Sequence, residues 1–167
     1  MTKIPFVGLH AHSGLSLNDG LGYPQDHMDF AYENGADALA LTDHGHMNGL
    51  PYQVLHAKKM HAHGKKFKPI FGVEAYFNPS LEQWRQEYEK AKQEKKKGIK
   101  KQIELSIEDE KASKQKVVDI LKKRNHLILI AQNQTGLNNI FKLISESYKD
   151  ENFYRYPRID YKLLDIH

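Results

Sequence analysis

Three apolar runs separated by helix-length amphipathic stretches constrain this chain more than any other feature. Phe6, Val7 and Leu9 read as a short buried strand, and Ala38-Leu39-Ala40-Leu41-Thr42 as a strand buried on both faces. Pro69-Ile70-Phe71-Gly72-Val73-Glu74-Ala75-Tyr76-Phe77 reads as a third, with one acid inside it. Between the first two, Pro24 at a helix start and Gly35 past its end frame a helix with Met28, Ala31 and Tyr32 on one face. Between the second and third, a helix over 50–63 puts Tyr52, Leu55 and Ala62 at helical spacing and stops at Gly64. Strand and helix alternating in this way imply βαβ units with right-handed crossovers, and so an α/β fold built on parallel strands.

Polar residues at the carboxyl ends of parallel strands gather at one mouth of the fold. His10 and His12 are two residues apart, so on an extended chain both imidazoles face one place. Asp19 follows in an Asn-Asp-Gly turn that can bring a carboxylate back to them, His44 lies where the second strand ends, and Glu74 lies within the third. An ionised acid inside a buried strand is costly unless it is paired or bound to a metal; a salt bridge to Lys or Arg is the alternative reading. The sequence has no cysteine, so a metal here would be held by histidine and carboxylate, a donor set that suits Zn, Mn or Fe better than Mg. A divalent ion held in this way polarises the oxygens it touches and lowers the pKa of bound water, which suits hydrolysis. Ser13 and Ser16 beside His12 offer a weaker case for a Ser-His hydrolase, and loop hydrogen bonds explain them better. His27, His56, His61, His63 and His167 are assigned to no site.

Residues 80–125 interrupt the alternation. Ser80 with Gln83 resembles a helix cap, and Leu81, Trp84, Tyr88 and Ala91 form one apolar stripe on a charged helix that Gly98 is expected to break. Ser106 with Asp109 suggests a second cap, opening a helix that carries Val117, Val118, Ile120 and Leu121, so the segment reads as an inserted helical hairpin. It holds 14 Lys/Arg against 9 Asp/Glu, and the rest of the chain 11 against 12, so the net charge of +4 is local to it. A solvated helical face is the better reading of that excess, although Lys95-Lys96-Lys97-Gly98-Ile99-Lys100-Lys101 offers contacts to a phosphate backbone. His126-Leu127-Ile128-Leu129-Ile130-Ala131 restores the core as a fourth strand. Thr135-Gly136 leads into a helix with Leu137, Ile140, Phe141, Ile144 and Tyr148 on one face, and an aromatic, basic loop over 153–160 precedes a short helical end. At 167 residues with no transmembrane-length apolar run, no signal-peptide core and no cysteine, the chain reads as one cytoplasmic domain with no membrane partner.

Taken in order, Leu9-His10-Ala11-His12-Ser13 with Leu17-Asn18-Asp19-Gly20, Leu41-Thr42-Asp43-His44-Gly45, and Pro69-Ile70-Phe71-Gly72-Val73-Glu74-Ala75-Tyr76 carry a family resemblance. The run from His126 to Ala131, Thr135-Gly136-Leu137-Asn138-Asn139 and Pro157-Arg158-Ile159-Asp160 extend it. These motifs resemble the PHP (polymerase and histidinol phosphatase) domain found at the N-terminus of bacterial replicative DNA polymerase III alpha subunits. The resemblance implies a distorted (β/α)7 barrel whose mouth binds up to three divalent ions, with His10, His12, Asp19, His44, Glu74 and His126 as ligands and Asp43 orienting His44 from behind. His126 rests on the resemblance alone, since the strand-end argument does not reach it. The family's later ligands and its polymerase domains fall beyond position 167, so the chain reads as a partial PHP domain whose barrel is completed by further polymerase domains or a second chain. The implied function is a metal-dependent phosphoesterase, foremost a proofreading 3′–5′ exonuclease, in a protein that carries out DNA-directed DNA synthesis on a primer-template. The alternatives are a metal-stabilised scaffold that docks a separate exonuclease subunit, alongside a sliding clamp, and a stand-alone histidinol-phosphatase-like enzyme. The Thr-Gly-Leu-Asn-Asn and Pro-Arg-Ile-Asp motifs favour the polymerase branch over the last of these.

Overall fold

The computed structural model describes residues 6–17, 19–100, 111–112, 115 and 124–167, excluding the side chains of 95–100. Its elements run α1 (Pro24–Glu33), β1 (Ala38–Leu41), α2 (Leu50–Ala62), β2 (Lys68–Phe77), α3 (Leu81–Lys100), β3 (Asn125–Ile130), α4 (Gln134–Ser147), β4 (Phe153–Tyr154), β5 (Tyr156–Ile159) and α5 (Tyr161–Ile166). The sheet is centred on β2, the longest strand. One edge of β2 pairs in parallel with β1 along its first half and with β5 at its end, while the other edge pairs antiparallel with β3.

The β1–α2–β2 unit is the expected parallel one, but the sheet as a whole is mixed. β3 runs antiparallel to β2, and the expected loop over 153–160 is instead a β4–β5 hairpin closed at Arg155, whose φ of 59° gives the tight reversal. The connection from β2 to β3 is long enough to return the chain to either end of the sheet, so it does not enforce the parallel pairing that a short crossover helix would. The expected strand at Phe6–Leu9 is reduced to a single parallel bridge between Gly8 and Leu39, and Phe6 and Leu9 are exposed.

Strand alternation sorts β2 into two chemistries. Ala75 and Phe77 pack with Leu143 of α4, Ile159 of β5 and the half-buried Leu127 and Leu129 of β3. Glu74 and Tyr76, one residue out of phase, face the opposite side. Across the ladder Tyr76 pairs with His126 and Glu74 with Ile128, so those four share the second face. A second apolar cluster, Met28, Ala57, Met60 and Phe67, seats α1 and α2.

Two helix faces differ from the sequence reading. On α2 the buried row is Gln53, Ala57 and Met60, while Tyr52, Leu55 and Ala62 are exposed. On α4, Leu143 and Ser147 are buried beside Leu137 and Ile140, while Phe141 and Tyr148 are exposed. In both helices a polar residue stands in the buried row and masks its period. α3 runs through Gly98 without a break; one helical glycine costs only about 1 kcal/mol relative to alanine. The proposed second cap at Ser106 and Asp109 and the valine and isoleucine positions after it lie outside the described residues. No helix among the described residues is long and apolar enough to cross a membrane.

The stripe of α3 is seated as expected, with Leu81, Trp84 and Ala91 buried and Ser80 Oγ accepting from the Gln83 amide at 3.2 Å. Arg158 fixes it from below: its guanidinium lies 4.4 Å from the Trp84 ring and donates to the carbonyls of Tyr154 at 2.7 Å and Tyr156 at 3.2 Å. Asp160 then serves two helix starts at once, accepting from Leu163 N of α5 and Leu81 N of α3, both at 3.0 Å. Replacing Asp160 with Ala leaves both amides without that acceptor, and is expected to lower stability by about 1–3 kcal/mol in urea denaturation, against no measurable change for Lys162→Ala. Equal stability of the two variants would show that neither cap matters.

Candidate metal centre

Four chain segments that share no local structure deliver the ligand-type side chains. The first is an extended piece laid beside β1: Ala40 N donates to Gly8 O and Thr42 N to Ala11 O, each at 2.8 Å. This holds His10 and His12 extended, and their Nε2 atoms lie 3.1 Å apart. The loop that follows turns on Ser16 O, which accepts from Asp19 N at 3.2 Å and Gly20 N at 3.1 Å. Glycine is required at position 20 because a side chain there would run into the Ser13 carbonyl. β1 continues past its end through a parallel bridge between His44 and Glu74, with Glu74 N donating to Asp43 O at 3.1 Å and Gly45 N to Glu74 O at 2.8 Å.

Asp43 and the two serines anchor the loop. The buried Asp43 carboxylate accepts from Ser13 N at 2.7 Å and from Ser13 Oγ at 2.9 Å, and Ser16 Oγ accepts from His44 N at 3.0 Å. The expectation that Asp43 orients the His44 imidazole is therefore corrected: its oxygens bond to Ser13, and the His44 backbone is held by Ser16. The loop hydrogen bonds expected of Ser13 and Ser16 are present.

All six sequence-predicted residues meet. Glu74, 2% exposed, has Oε2 at 2.6 Å from both His10 Nε2 and His12 Nε2, and its Oε1 contacts His126 Nδ1. Asp19 Oδ2 contacts His12 Nδ1 and lies 2.9 Å from His44 Nε2, and His44 Nδ1 is 3.8 Å from Glu74 Oε1. His126 reaches the cluster because β3 is antiparallel: its first residues lie at the same end of the sheet as the last residues of β2. The other histidines stay apart: His27, His61 and His63 bond backbone carbonyls and His56 pairs with Asp29 at 3.0 Å.

The electrostatics follow from this crowding. Desolvation pushes the Glu74 carboxyl up, but the imidazoles of His10, His44, His12 and His126 outweigh it and hold it below the ordinary carboxylate range. Desolvation likewise raises Asp19, and its contacts with His12 and His44 bring it down on balance. His44 is lowered by desolvation, against the opposing pull of Glu74 and Asp19, which favours the neutral, ligand-competent imidazole.

The donor set fits divalent metal. His12 turns both ring nitrogens to carboxylate oxygens, whereas a neutral imidazole carries only one proton. His44 Nδ1 is buried with no hydrogen-bond partner among the described residues. Bound cations would satisfy these lone pairs together. Three overlapping groups offer ligand atoms within 4.8 Å of one another: His10, His12 and Glu74; His12, Asp19 and His44; His44, Glu74 and His126. The first has edges of 2.6, 2.6 and 3.1 Å, small enough for one ion with bonds of about 2.0–2.2 Å to reach all three atoms.

Tyr76 belongs to the site, although its sequence position alone did not mark it. Its ring stacks on His44 at 5.5 Å between centroids, 4° from parallel, and meets His126 edge-on at 5.4 Å. The signal was its position two residues after Glu74 on a strand.

Comparison with known proteins places the chain. A family model described as the PHP domain matches residues 8–167. The chain belongs to the PHP domain family. As a PHP domain it is homologous to the N-terminal region of bacterial DNA polymerase III alpha subunits. It is 36% identical over 160 residues to the alpha subunit of Aquifex aeolicus, covering 96% of this chain and 11% of that protein. It is 32% identical over 167 residues to that of Treponema pallidum (100% and 11%), and 35% identical over 157 residues to that of Borreliella burgdorferi (93% and 10%). The PHP chain thus spans about a tenth of the length of these curated relatives. Among solved structures, an amidohydrolase from Chromobacterium violaceum aligns over 43% of this chain and 23% of its own, with 30% identity and a TM-score of 0.36, an overlap too small to bear on the fold.

Metal loading of this PHP chain should stabilise it by roughly 4 kcal/mol at a thousandfold excess of Zn over its Kd, with chelator reversing the gain in a thermal melt. The gain should shrink under acid conditions, where protons compete with metal for the ligand side chains. Without metal, Glu74 and Asp19 have folded pKa values below their unfolded ones, so their contribution is complete above the ordinary carboxylate range and is lost as pH falls through the folded values. Glu74→Gln should abolish most of the metal-dependent shift; an undiminished shift in that variant would contradict the assignment of Glu74.

Proposed function

We propose that this chain is the metal-binding front of a PHP phosphoesterase in a replicative DNA polymerase III alpha subunit, acting as a 3′–5′ exonuclease on mispaired primer ends. The observation that carries this is the convergence of six ligand-competent side chains into three overlapping groups that share His12, His44 and Glu74. Sharing of ligands suits a cluster of up to three ions over isolated single sites. A donor set of imidazole and carboxylate without sulfur suits Zn, Mn or Fe better than Mg. On this reading His10, His12, Asp19, His44, Glu74 and His126 would hold the ions, and no side-chain nucleophile is required. Bound divalent ions supply Lewis acidity toward phosphoryl oxygens and lower the pKa of water.

The chain's own residues do the positioning. Glu74 holds an ionised, acceptor-only carboxylate where four imidazoles converge, and Ser13, Ser16 and Asp43 keep the ligand loop in register with β1 and β2. The remaining strands of a (β/α)7 barrel, and the polymerase active site that binds the primer-template, would come from further sequence of the same protein or from a partner chain. That protein would work in the cytoplasm, with a sliding clamp and any separate exonuclease subunit as further partners.

A scaffold role is the second reading, favoured by the way ligands from four distant segments would be tied together by metal whether or not turnover follows. The polypeptide carrying this domain, loaded with Mn or Zn, should release nucleotides from a mismatched 3′ end, and chelator or His12→Ala should abolish release by 100-fold or more. Loss of the metal-dependent stability in His12→Ala, with no nucleotide release by the wild type, would favour the scaffold and end the exonuclease reading.

A further inference from the structure

Two histidines of the cluster rest against one ring. Tyr76 lies across the β2–β3 ladder from His126 and two residues after Glu74, whose backbone bridges to His44. Its ring stacks on the His44 imidazole, 5.5 Å between centroids and 4° from parallel, and meets His126 edge-on at 5.4 Å. His44 and His126 also meet edge-on, at 4.9 Å, so the three rings close on one another. Tyr156 backs the Tyr76 ring at 4.9 Å. Gly45 leaves room for this packing: a Cβ there would stand 3.4 Å from the Tyr76 ring and 2.8 Å from Pro157.

We infer that Tyr76 is a positioning residue of this centre, its ring holding the His44 and His126 imidazoles for the ion of the His44, Glu74 and His126 group; this rests on the metal-binding reading above. An imidazole that binds metal is ordinarily aimed by a hydrogen bond at its other nitrogen. His44 lacks that device among the described residues: its Nε2 contacts Asp19, its Nδ1 is buried without a hydrogen-bond partner, and the nearby Asp43 carboxylate is taken by Ser13. A stacked ring sets the plane of the imidazole through its face and leaves both nitrogens open, because their lone pairs and protons lie in that plane. Strand pairing places Tyr76 before any ion arrives, so less ordering of His44 is left to metal binding. Among the described residues its ring partners are His44, His126 and Tyr156, and not His10 or His12, so its effect falls on one part of the cluster.

The test is Zn titration of the chain with the ions bound per molecule counted, repeated with Co(II), whose visible absorption follows coordination geometry. Tyr76→Leu should bind one ion about 10–100-fold more weakly, keep the rest of its complement and change the cobalt spectrum. Tyr76→Phe keeps the ring face and should behave as the wild type. Tyr76→Ile, β-branched and suited to a strand, should reproduce the Leu result if Tyr76→Leu does not fold. A full complement bound with unchanged affinity in a folded Leu or Ile variant overturns the assignment. So does loss of every ion, or failure of both variants to fold, because the ring would then be supporting the sheet rather than aiming imidazoles. Binding by Tyr76→Phe as weak as that by Tyr76→Leu overturns it too, since the hydroxyl and not the ring face would be at work. Failure of the wild type to bind Zn removes the metal centre and this assignment together. Ion binding that depends on Tyr76, in a protein that releases no nucleotide from DNA, leaves the assignment standing and ends only the exonuclease reading.

Discussion

A carboxylate buried within a strand must be met by protons, cations or hydrogen-bond donors, and in this chain Glu74 is met by four imidazoles. Its position fixes the rest. Because side chains alternate along β2, an acid at 74 commits Tyr76 to the same face and sends Ala75 and Phe77 into the apolar cluster with Leu143 and Ile159. A slip of one residue in the β2–β3 ladder would turn His126 into that cluster and a leucine out of it. The register of the sheet and the composition of the centre are therefore one constraint.

Convergence of imidazoles and acids is electrostatically and sterically demanding, and the chain meets that demand with hydrogen bonds placed outside the cluster. Ser13 and Asp43 join the histidine segment to the end of β1, Ser16 holds the His44 backbone, and the bridge to Glu74 carries both onto β2. Farther out, Arg158 and Asp160 connect the β4–β5 hairpin to the start of α3, so the charged helix is attached through buried polar contacts as well as its apolar stripe. Ser13, Ser16, Asp43, Arg158 and Asp160 are themselves buried and hydrogen-bonded, the condition under which buried polarity specifies structure.

Much of this was written in the sequence. The two-residue spacing of His10 and His12, the acid inside an apolar run and the carboxyl-end rule together suffice to bring His10, His12, His44 and Glu74 to one place. His126 was not derivable that way, because its position follows from strand direction, and direction after a long connection is not encoded in local pattern. Helix faces failed where polar Gln53 and Ser147 occupy buried rows and aromatic Tyr52 and Tyr148 lie outside them. The hairpin at Arg155 was hidden because it turns on a non-glycine residue with positive φ, which carries no turn signature. Asp43 was placed correctly beside the centre but given the wrong partner, since sequence adjacency to His44 says nothing about the Ser13 donors 30 residues earlier.

The central claim is that distant imidazoles and acids share bound cations around Glu74. X-ray absorption at the metal edge of the Zn-loaded chain tests it most directly, read together with ions bound per molecule. The account predicts a first shell of nitrogen and oxygen at about 2.0–2.1 Å with imidazole outer-shell scattering and more than one ion per chain. A shell of oxygen alone, or a spectrum unchanged when His12 and Glu74 are replaced together, would contradict it.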